Sequence, residues 1–280
     1  MFYLLIILLQ MKLIRQIIDL NKAINDNIKL GFVPTMGGLH KGHISLIKQS
    51  KKKCKKTLVS IFVNPKQFNN NNDYESYPRN LNKDLKILKK LKVDIVFLPS
   101  VDLIYQNNKS KKYSLKASEK ILCAKYRKGH FEGVLEVMDR LIDLILPKYT
   151  FMGDKDFQQL FLIKKKISHH KTQIISCKTI RDKNKIALSS RNFLLNEKNM
   201  RVAGFVAKKI MKLKSKIITN KLKSKTLIKN FKKNLTSKFN IEIEYLEARN
   251  IINLKPNIIS QKFKVFIAYY IDDIRLIDNF

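Results

Sequence analysis

The sequence predicts an α/β fold, with a mostly parallel sheet flanked by helices in the larger N-terminal part and a smaller α+β part at the end of the chain. Apolar, often β-branched runs at 30–33, 57–63, 94–98, 149–152 and 172–177 alternate with helix-period segments, which is the pattern of βαβ units. The run at 57–63 is apolar without alternation, as a strand covered on both faces must be. Beyond residue 193 the character changes to Lys-rich helical patterns over 196–238, followed by strand-like runs at 241–246, 264–270 and 274–277. The expected organisation is an apolar extension over 1–10, a larger domain over 11–178, and a loop with the smaller domain over 179–280.

Residues 11–27 place Leu13, Ile14, Ile17, Ile18, Ala23 and Ile24 at helical spacing, so one or two helices are expected there. The strand at 30–33 is then broken by Pro34, Gly37, Gly38 and Gly42 into a loop that delivers His40 and His43. Ile44, Leu46 and Ile47 follow at helical spacing, which puts both histidines at a helix N-terminus, one turn apart and on the same face. A helix start offers unpaired N–H groups and the positive end of the macrodipole, and glycines let the backbone approach an anion. Two imidazoles there can donate to phosphate oxygens that gain charge as a pyrophosphate leaves. Taken alone, a His-x-x-His pair also suits a metal half-site or two surface histidines.

The strand at 57–63 exits through Asn64, Pro65, Lys66, Gln67 and Phe68, where open parallel sheets present ligand groups. Tyr77, Pro78 and Arg79 open a helix with Leu81, Leu85, Leu88 and Leu91 along one side. Residues 100–120, with Asn107, Asn108, Lys109, Ser110, Lys111 and Lys112, read as an exposed loop that orders over the site. Arg127, Lys128, Gly129, His130, Phe131, Glu132 and Gly133 precede an amphipathic helix that stops at Pro147. The strand at 149–152 runs into Gly153, Asp154, Lys155 and Asp156 and then a helix carrying Gln158 and Gln159. Lys155 can neutralise phosphate and Asp156 can accept from ribose hydroxyls, although a Gly-x-Lys-Asp turn by itself equally suits an ordinary surface turn. After the strand at 172–177 come Ile180, Arg181 and Asp182, then Leu188, Ser189, Ser190 and Arg191, whose hydroxyls and guanidinium form a clamp able to close on a triphosphate.

Composition narrows the class. The net charge of +35 over 280 residues ordinarily points to a polyanion. Here the lysines are scattered through the chain among abundant Asn and Ile, as a coding bias would leave them, and the run Lys51, Lys52, Lys53, Lys55, Lys56 reads as a solvated helix face. No specific nucleic-acid partner is therefore expected. Cys54, Cys123 and Cys177 are widely spaced with no C-x-x-C, which argues against a disulfide framework or zinc site and suits a reducing cytoplasm. Residues 1–10 are almost wholly apolar but too short to span a bilayer, which takes about 20 residues, so no membrane partner is expected. They read as an upstream or misassigned start, in preference to a weak membrane or partner anchor.

The run 34–43, Pro-Thr-Met-Gly-Gly-Leu-His-Lys-Gly-His, resembles the ATP-binding signature of the pantothenate synthetase family, among the HIGH-motif nucleotidylyltransferases related in fold to class I aminoacyl-tRNA synthetases. The resemblance extends from about Met11 to the end and rests on separated blocks in the right order. It implies a Rossmann-like nucleotidylyltransferase domain and a C-terminal lid. The implied reaction is a two-step, ATP-dependent ligation of pantoate and β-alanine through pantoyl adenylate, with Mg²⁺ on the phosphates, in a cytoplasmic homodimer. Motif by motif, it implies ATP contacts at Met36, Gly37, His40, His43, Gly153, Asp154, Lys155, Asp156, Ile180, Leu188, Ser189, Ser190 and Arg191. His43 takes the place of the catalytic proton donor, His40 and Lys155 act beside it on the phosphates, and Gln67 and Gln159 hold pantoate, with Gln67 also meeting β-alanine. The metal ligands are not implied.

Several positions depart from the family pattern: Leu188 for Met, Lys185 for Gly, Asp182 for Glu, Asn184 for Asp, Lys128 for Pro, and Glu136 for a small hydroxyl residue. Loss of the glycine at 185 is expected to stiffen the clamp. Two other readings stand beside this one: a different adenylyltransferase using the same histidine loop, which needs a basic pocket for an acceptor phosphate, and a nucleic-acid-binding protein resting on charge alone.

Overall fold

The computed structural model describes residues 11–24, 29–105, 111–239 and 241–280. In chain order its regular elements are β1 (Lys12–Ile14), α1 (Ile17–Ile24), β2 (Leu30–Thr35), α2 (Lys41–Lys53), β3 (Lys56–Ile61), α3 (Asn71–Glu75), α4 (Leu81–Lys90), β4 (Ile95–Phe97) and α5 (Val101–Tyr105). There follow α6 (Cys123–Tyr126), α7 (His130–Ile145), β5 (Tyr149–Gly153), α8 (Phe157–Lys166), β6 (Gln173–Cys177), α9 (Glu197–Thr219), α10 (Ser224–Lys238), β7 (Glu242–Asn250), β8 (Phe263–Ile271) and β9 (Ile274–Asn279).

The chain divides into two compact units. The first comprises residues up to Leu115, Gly129–Gly153 and Gln159–Cys177; the second comprises Lys116–Lys128, Asp154–Gln158 and Lys178–Phe280.

The first unit is the expected α/β layer structure. Its six strands lie in the order β1-β4-β3-β2-β5-β6, all parallel. Strands β2, β3 and β4 step away to one side, and the chain then returns to lay β5 against the other side of β2, so the topological switch falls between β2 and β5. In open α/β sheets ligands collect at the carboxyl ends of the strands at such a switch. One face is filled by Val33, Val59, Val96 and Phe151 from the sheet with Leu46, Ile47 and Leu88 from α2 and α4. The lysine run at the end of α2 is exposed, with Lys51 donating to the carbonyl of Lys92, and a cationic last turn complements the helix dipole.

Three expectations are corrected. Residues 12–14 form a strand instead of a helix, because Leu13 pairs with Val96 and alternation leaves Ile14 buried and Leu13 exposed. The stretch 25–28, into which that expected helix ran, lies outside the described residues. Pro34 does not end the strand; β2 continues through it to Thr35. The carbonyl of Leu30 accepts from Lys148 on the β5 side, and alternation turns Pro34 to that same side, past the last β2–β5 pair at Phe32 and Thr150. Its missing N–H therefore costs no ladder bond. The loop expected over 100–120 holds α5, whose Leu103 and Ile104 are buried, and a short 3-10 turn at Ala117–Glu119. Asn107, Asn108, Lys109 and Ser110 lie outside the described residues, as does the apolar stretch 1–10.

The second unit is the expected α+β part. Strands β7, β8 and β9 form an antiparallel sheet in sequence order, and α9 and α10 cover it through Val206, Ile210, Leu213 and Leu235, packed with Ile243, Val265, Ile267 and Leu276. Among the described residues no helix is long and apolar enough to cross a membrane, and all three cysteines are free thiols.

Candidate active site

The loop between β2 and α2 is built on two glycines and one buried carboxylate. Gly37 and Gly38 take φ of 81° and 61°, which only a residue without Cβ adopts freely. Asp84, on α4 and only 2% exposed, accepts from the backbone N–H groups of Gly38 at 2.9 Å and Leu39 at 2.8 Å. The Thr35 hydroxyl donates to the Ser60 carbonyl at 2.7 Å and accepts from the Gly37 N–H at 3.3 Å. The histidine loop is thus tied to the neighbouring strand and to a helix more than forty residues downstream.

His40 is the N-cap of α2 and His43 its third residue, as their spacing predicts. Nδ1 of His40 accepts from the Gly42 N–H at 3.0 Å, and Nδ1 of His43 accepts from the His40 N–H at 3.4 Å. The rings lie 4.1 Å apart, inclined by 40°. A nitrogen that accepts carries no proton, so this reciprocal cap assigns both imidazoles the neutral form with the proton on Nε2. Each ring satisfies an orphan donor of the helix start with one nitrogen and keeps an N–H donor on the other. The glycine between them is required by space: a Cβ on Gly42 would stand 2.6 Å from Cε1 and 2.8 Å from Nδ1 of His40.

Gln67, in the 3-10 turn Pro65–Gln67 that follows β3, is held on three sides. Its Oε1 accepts from Asn64 Nδ2 at 3.3 Å, its Nε2 meets Met36 Sδ at 2.8 Å, and its backbone carbonyl lies 2.6 Å from Nδ1 of His130. Asn64, 1% exposed, also donates to the Gly133 carbonyl at 3.1 Å and accepts from the Tyr105 hydroxyl at 2.6 Å. Burial, helped by the charge of Glu136, pushes the Tyr105 phenol up, which keeps it a neutral donor. Helix α7 comes so close to this turn that a Cβ on Gly133 would lie 2.3 Å from the Lys66 carbonyl oxygen. Glu136, the oddest departure from the family pattern, pairs with Lys66 at 2.7 Å.

The structure therefore brings Met36, Gly37, His40, His43 and Gln67 together in the first unit. Gly153 ends β5 in the same unit, and Gln159 is half-buried on α8. Its neighbour Gln158 is buried and donates to the carbonyl of Ile121 at 2.7 Å.

The remaining predicted contacts belong to the second unit. Asp154, Lys155 and Asp156 form a 3-10 turn. Asn279, one residue from the chain end and 2% exposed, donates from Nδ2 to the carbonyls of Asp154 at 2.9 Å and Lys155 at 2.7 Å. Lys264 pairs with Asp154 at 3.0 Å, and Lys155 with Asp156 at 3.6 Å. Ile180 and Leu188 face each other across a hairpin, the Leu188 N–H donating to the Ile180 carbonyl at 2.9 Å. Arg181 sets the hairpin with two bonds to Asp278, at 2.7 and 2.9 Å, and one to the Asn279 carbonyl at 2.8 Å. Burial pushes the Asp278 carboxyl up, and the Arg181 guanidinium pulls it back. The clamp residues are a capped turn: the Ser189 hydroxyl accepts from the Arg191 N–H at 3.3 Å, and Ser190 and Arg191 open the 3-10 turn Ser190–Leu194.

Asn64 and His130 were read from the sequence only as parts of their stretches, with no role assigned, and Asp84 and Asn279 were given no place in the site. Asp84 left a signal, since a carboxylate between Leu81, Leu85 and Leu88 sits beside the apolar stripe of its helix. Asn279 left none.

Known proteins resemble this chain over nearly its whole length. The pantoate-β-alanine ligase family model matches residues 7–280. Among curated relatives, the pantothenate synthetase of Leptospira biflexa is 36% identical over 96% of this chain and 98% of its own length. That of Leptospira interrogans is 41% identical over 90% of each. Among solved structures, pantothenate synthetase from Thermus thermophilus superposes with a TM-score of 0.88 at 27% identity, covering 96% of this chain and 99% of that one. Pantoate-β-alanine ligase from Francisella tularensis, complexed with β-γ ATP and β-alanine, does so with 0.81 at 36% identity and 97% of both chains. With the family model matched over nearly the whole chain and relatives of 36% and 41% identity covering nine-tenths of it or more, the chain belongs to the pantoate-β-alanine ligase family.

Proposed function

We infer that this chain joins (R)-pantoate to β-alanine with cleavage of ATP, giving pantothenate, AMP and pyrophosphate. In the first step a pantoate carboxylate oxygen attacks the α-phosphorus of ATP, the α–β anhydride bond breaks, and pyrophosphate leaves. In the second, the β-alanine amine attacks the acyl carbon of pantoyl adenylate. The C–N bond forms, the bond from carbon to the phosphate oxygen breaks, AMP leaves, and the amine gives up a proton. The observation that carries this reading is the pair of capped, neutral imidazoles. His40 and His43 each offer an Nε2–H donor at a helix N-terminus, where charge developing on the departing phosphates is stabilised more than the ground state is.

Within the same reading, His43 donates to the phosphate oxygen that gains charge and His40 acts beside it. Gln67 and Gln159 hold pantoate through neutral amides, which grip a carboxylate without neutralising the nucleophile. Lys155 supplies the fixed positive charge, with Met36, Gly37, Gly153, Asp154, Asp156, Ile180, Leu188, Ser189, Ser190 and Arg191 as the other nucleotide contacts. Mg²⁺ enters as the companion of ATP. The carboxylates of the nucleotide set, Asp154 and Asp156, are engaged by Lys264 and Lys155 and form no dedicated cage, which suits an ion held chiefly by phosphate oxygens and water. A cytoplasmic homodimer completes the proposal; free thiols support the compartment, and light scattering on the purified protein tests the dimer.

The deciding experiment is ATP–pyrophosphate exchange with Mg²⁺ and pantoate, β-alanine omitted. Pantoate-dependent exchange, followed by AMP release when β-alanine is added, is the expected result. His43→Ala is expected to abolish exchange while the protein stays folded. No exchange from folded wild-type protein means either that the altered clamp has lost function or that the acceptor is not pantoate, and an unchanged rate in His43→Ala removes His43 from the mechanism.

A further inference from the structure

One group of metal-ligand side chains in the first unit takes no part in the site above. Asp139 lies in the middle of α7, and His169 and His170 are neighbours in the connection between α8 and β6. Both imidazoles converge on one oxygen: Asp139 Oδ1 is 3.0 Å from Nε2 of His169 and 2.7 Å from Nε2 of His170. The histidine rings lie 4.3 Å apart, and one ligand atom from each of the three residues falls within 4.8 Å of the others. Of the chain's five histidines, two adjacent ones meet this single carboxylate. A second observation points to the same spot. The hydroxyl of Tyr113 is buried beside Asp139. Its burial and the nearby charge of Asp139 push that phenol up, so it stays a neutral donor beside the carboxylate.

We propose that Asp139, His169 and His170 bind a divalent transition ion of the Zn²⁺, Co²⁺ or Ni²⁺ class, with water as the fourth ligand and the Tyr113 hydroxyl beside it. Two imidazoles and one carboxylate suit these ions; Mg²⁺, which takes oxygen ligands, does not fit the set. In a tetrahedral zinc site, bonds of about 2.0–2.1 Å put the ligand atoms about 3.3 Å apart. The present separations of 3.0 and 2.7 Å from the carboxylate are hydrogen-bond distances, so the ion replaces the two bridging protons and lengthens both by a few tenths of an ångström, with the imidazoles turning to share it. His169, whose side chain is 44% exposed, is free to make that adjustment. Binding needs Nε2 of each ring unprotonated, so acidification weakens it. The bound ion ties α7 to the turn that precedes β6.

The test uses the full, untagged chain titrated with Co²⁺ and, separately, Zn²⁺. Binding is followed by calorimetry and by the visible ligand-field bands of tetrahedral Co²⁺. The wild type is expected to take up one ion, and Zn²⁺ is expected to raise its Tm. The double variant His169→Ala/His170→Ala, altered only in a connecting turn, is expected to bind at least about tenfold more weakly and to lose the Zn²⁺-dependent rise in Tm. Asp139→Asn is expected to shift the Co²⁺ bands or abolish them. Folded wild-type protein that takes up no Co²⁺ would overturn the proposal and leave a hydrogen-bonded Asp–His pin. Undiminished binding by the double variant would overturn it too, by placing the ion elsewhere.

Discussion

Replacing Gly133 by Ala sets two effects of opposite sign against each other. In a helix interior Ala is favoured over Gly by about 0.8–1 kcal/mol, so propensity alone makes Gly133→Ala stabilising. The added Cβ, however, would stand 2.3 Å from the Lys66 carbonyl oxygen and 3.0 Å from the Gln67 nitrogen, both backbone atoms that no rotamer change can move aside. Restoring an ordinary contact of 3.4 Å requires α7 and the 3-10 turn to part by about 1.1 Å. That movement strains the bond from Asn64 to the Gly133 carbonyl and the contact between His130 and the Gln67 carbonyl. Overpacking of this kind costs about 1–3 kcal/mol and a weakened hydrogen bond about 1 kcal/mol, which together outweigh propensity and leave a net loss of about 1–3 kcal/mol. Gln67 moves with the turn, and a displacement near 1 Å at a positioning group costs on the order of 100-fold in rate. Urea unfolding gives the first quantity, and kcat/KM for pantoate, measured by AMP release at saturating β-alanine, gives the second. A variant as stable as the wild type with unchanged kcat/KM would refute the claim that close approach is what demands glycine at 133.

Asp84→Asn keeps shape but turns one acceptor into a donor facing the Gly38 or Leu39 N–H, so it is expected to lose about 2–3 kcal/mol in urea unfolding and to slow pyrophosphate exchange; unchanged exchange would separate the loop from its anchor. Arg181→Leu leaves the buried Asp278 carboxylate unpaired and is expected to cost about 3–5 kcal/mol at pH 7. Burial already raises the folded-state carboxyl above its ordinary value of 3.8, and loss of Arg181 raises it further. The stability owed to the protonated form is therefore present below pH 3.8 and is lost as pH rises through the raised folded value, so the penalty should shrink on acidification; a penalty that grows towards pH 4 would contradict the assignment.

The parallel sheet was legible because its strands are short apolar runs separated by helical periods. β1 was not, because three residues carry no periodicity of their own, and Leu13, Ile14, Ile17 and Ile18 fall equally well on a helix face. What decides for a strand is Leu13 meeting Val96, a pairing local sequence does not contain. The course of β2 through Pro34 was hidden for a similar reason: a proline ends a strand only if its missing N–H faces a partner, and here the partner strand has already stopped pairing. In the clamp hairpin, Lys185 stands where the family pattern has glycine and still takes the left-handed conformation, φ 73°. A side chain there costs about 1–2 kcal/mol, met by bonds from the Arg181 guanidinium to the Lys185 carbonyl and from the Lys185 N–H to the Asp182 carbonyl. The substitution therefore places a side chain in a strained backbone conformation that these bonds hold.

The spacing of the histidine motif was legible, but its logic was not. From sequence, the glycine between His40 and His43 reads as backbone freedom to approach a phosphate, whereas in the structure it clears the space into which the His40 ring folds to cap its own helix. That cap occupies Nδ1 on both rings and so settles which nitrogen donates. A side chain with a fixed charge could sit at the same helix end, but it would attract the triphosphate as strongly before reaction as during it. Lysine also has no acceptor with which to satisfy the helix N–H groups. In the proposed reaction imidazole does both jobs, one with each nitrogen, provided nothing larger than hydrogen stands at position 42. The motif is therefore a single device in which Gly42 fixes the tautomer of His40, His40 in turn supplies the N–H that holds His43, and Asp84 fixes the loop that carries both.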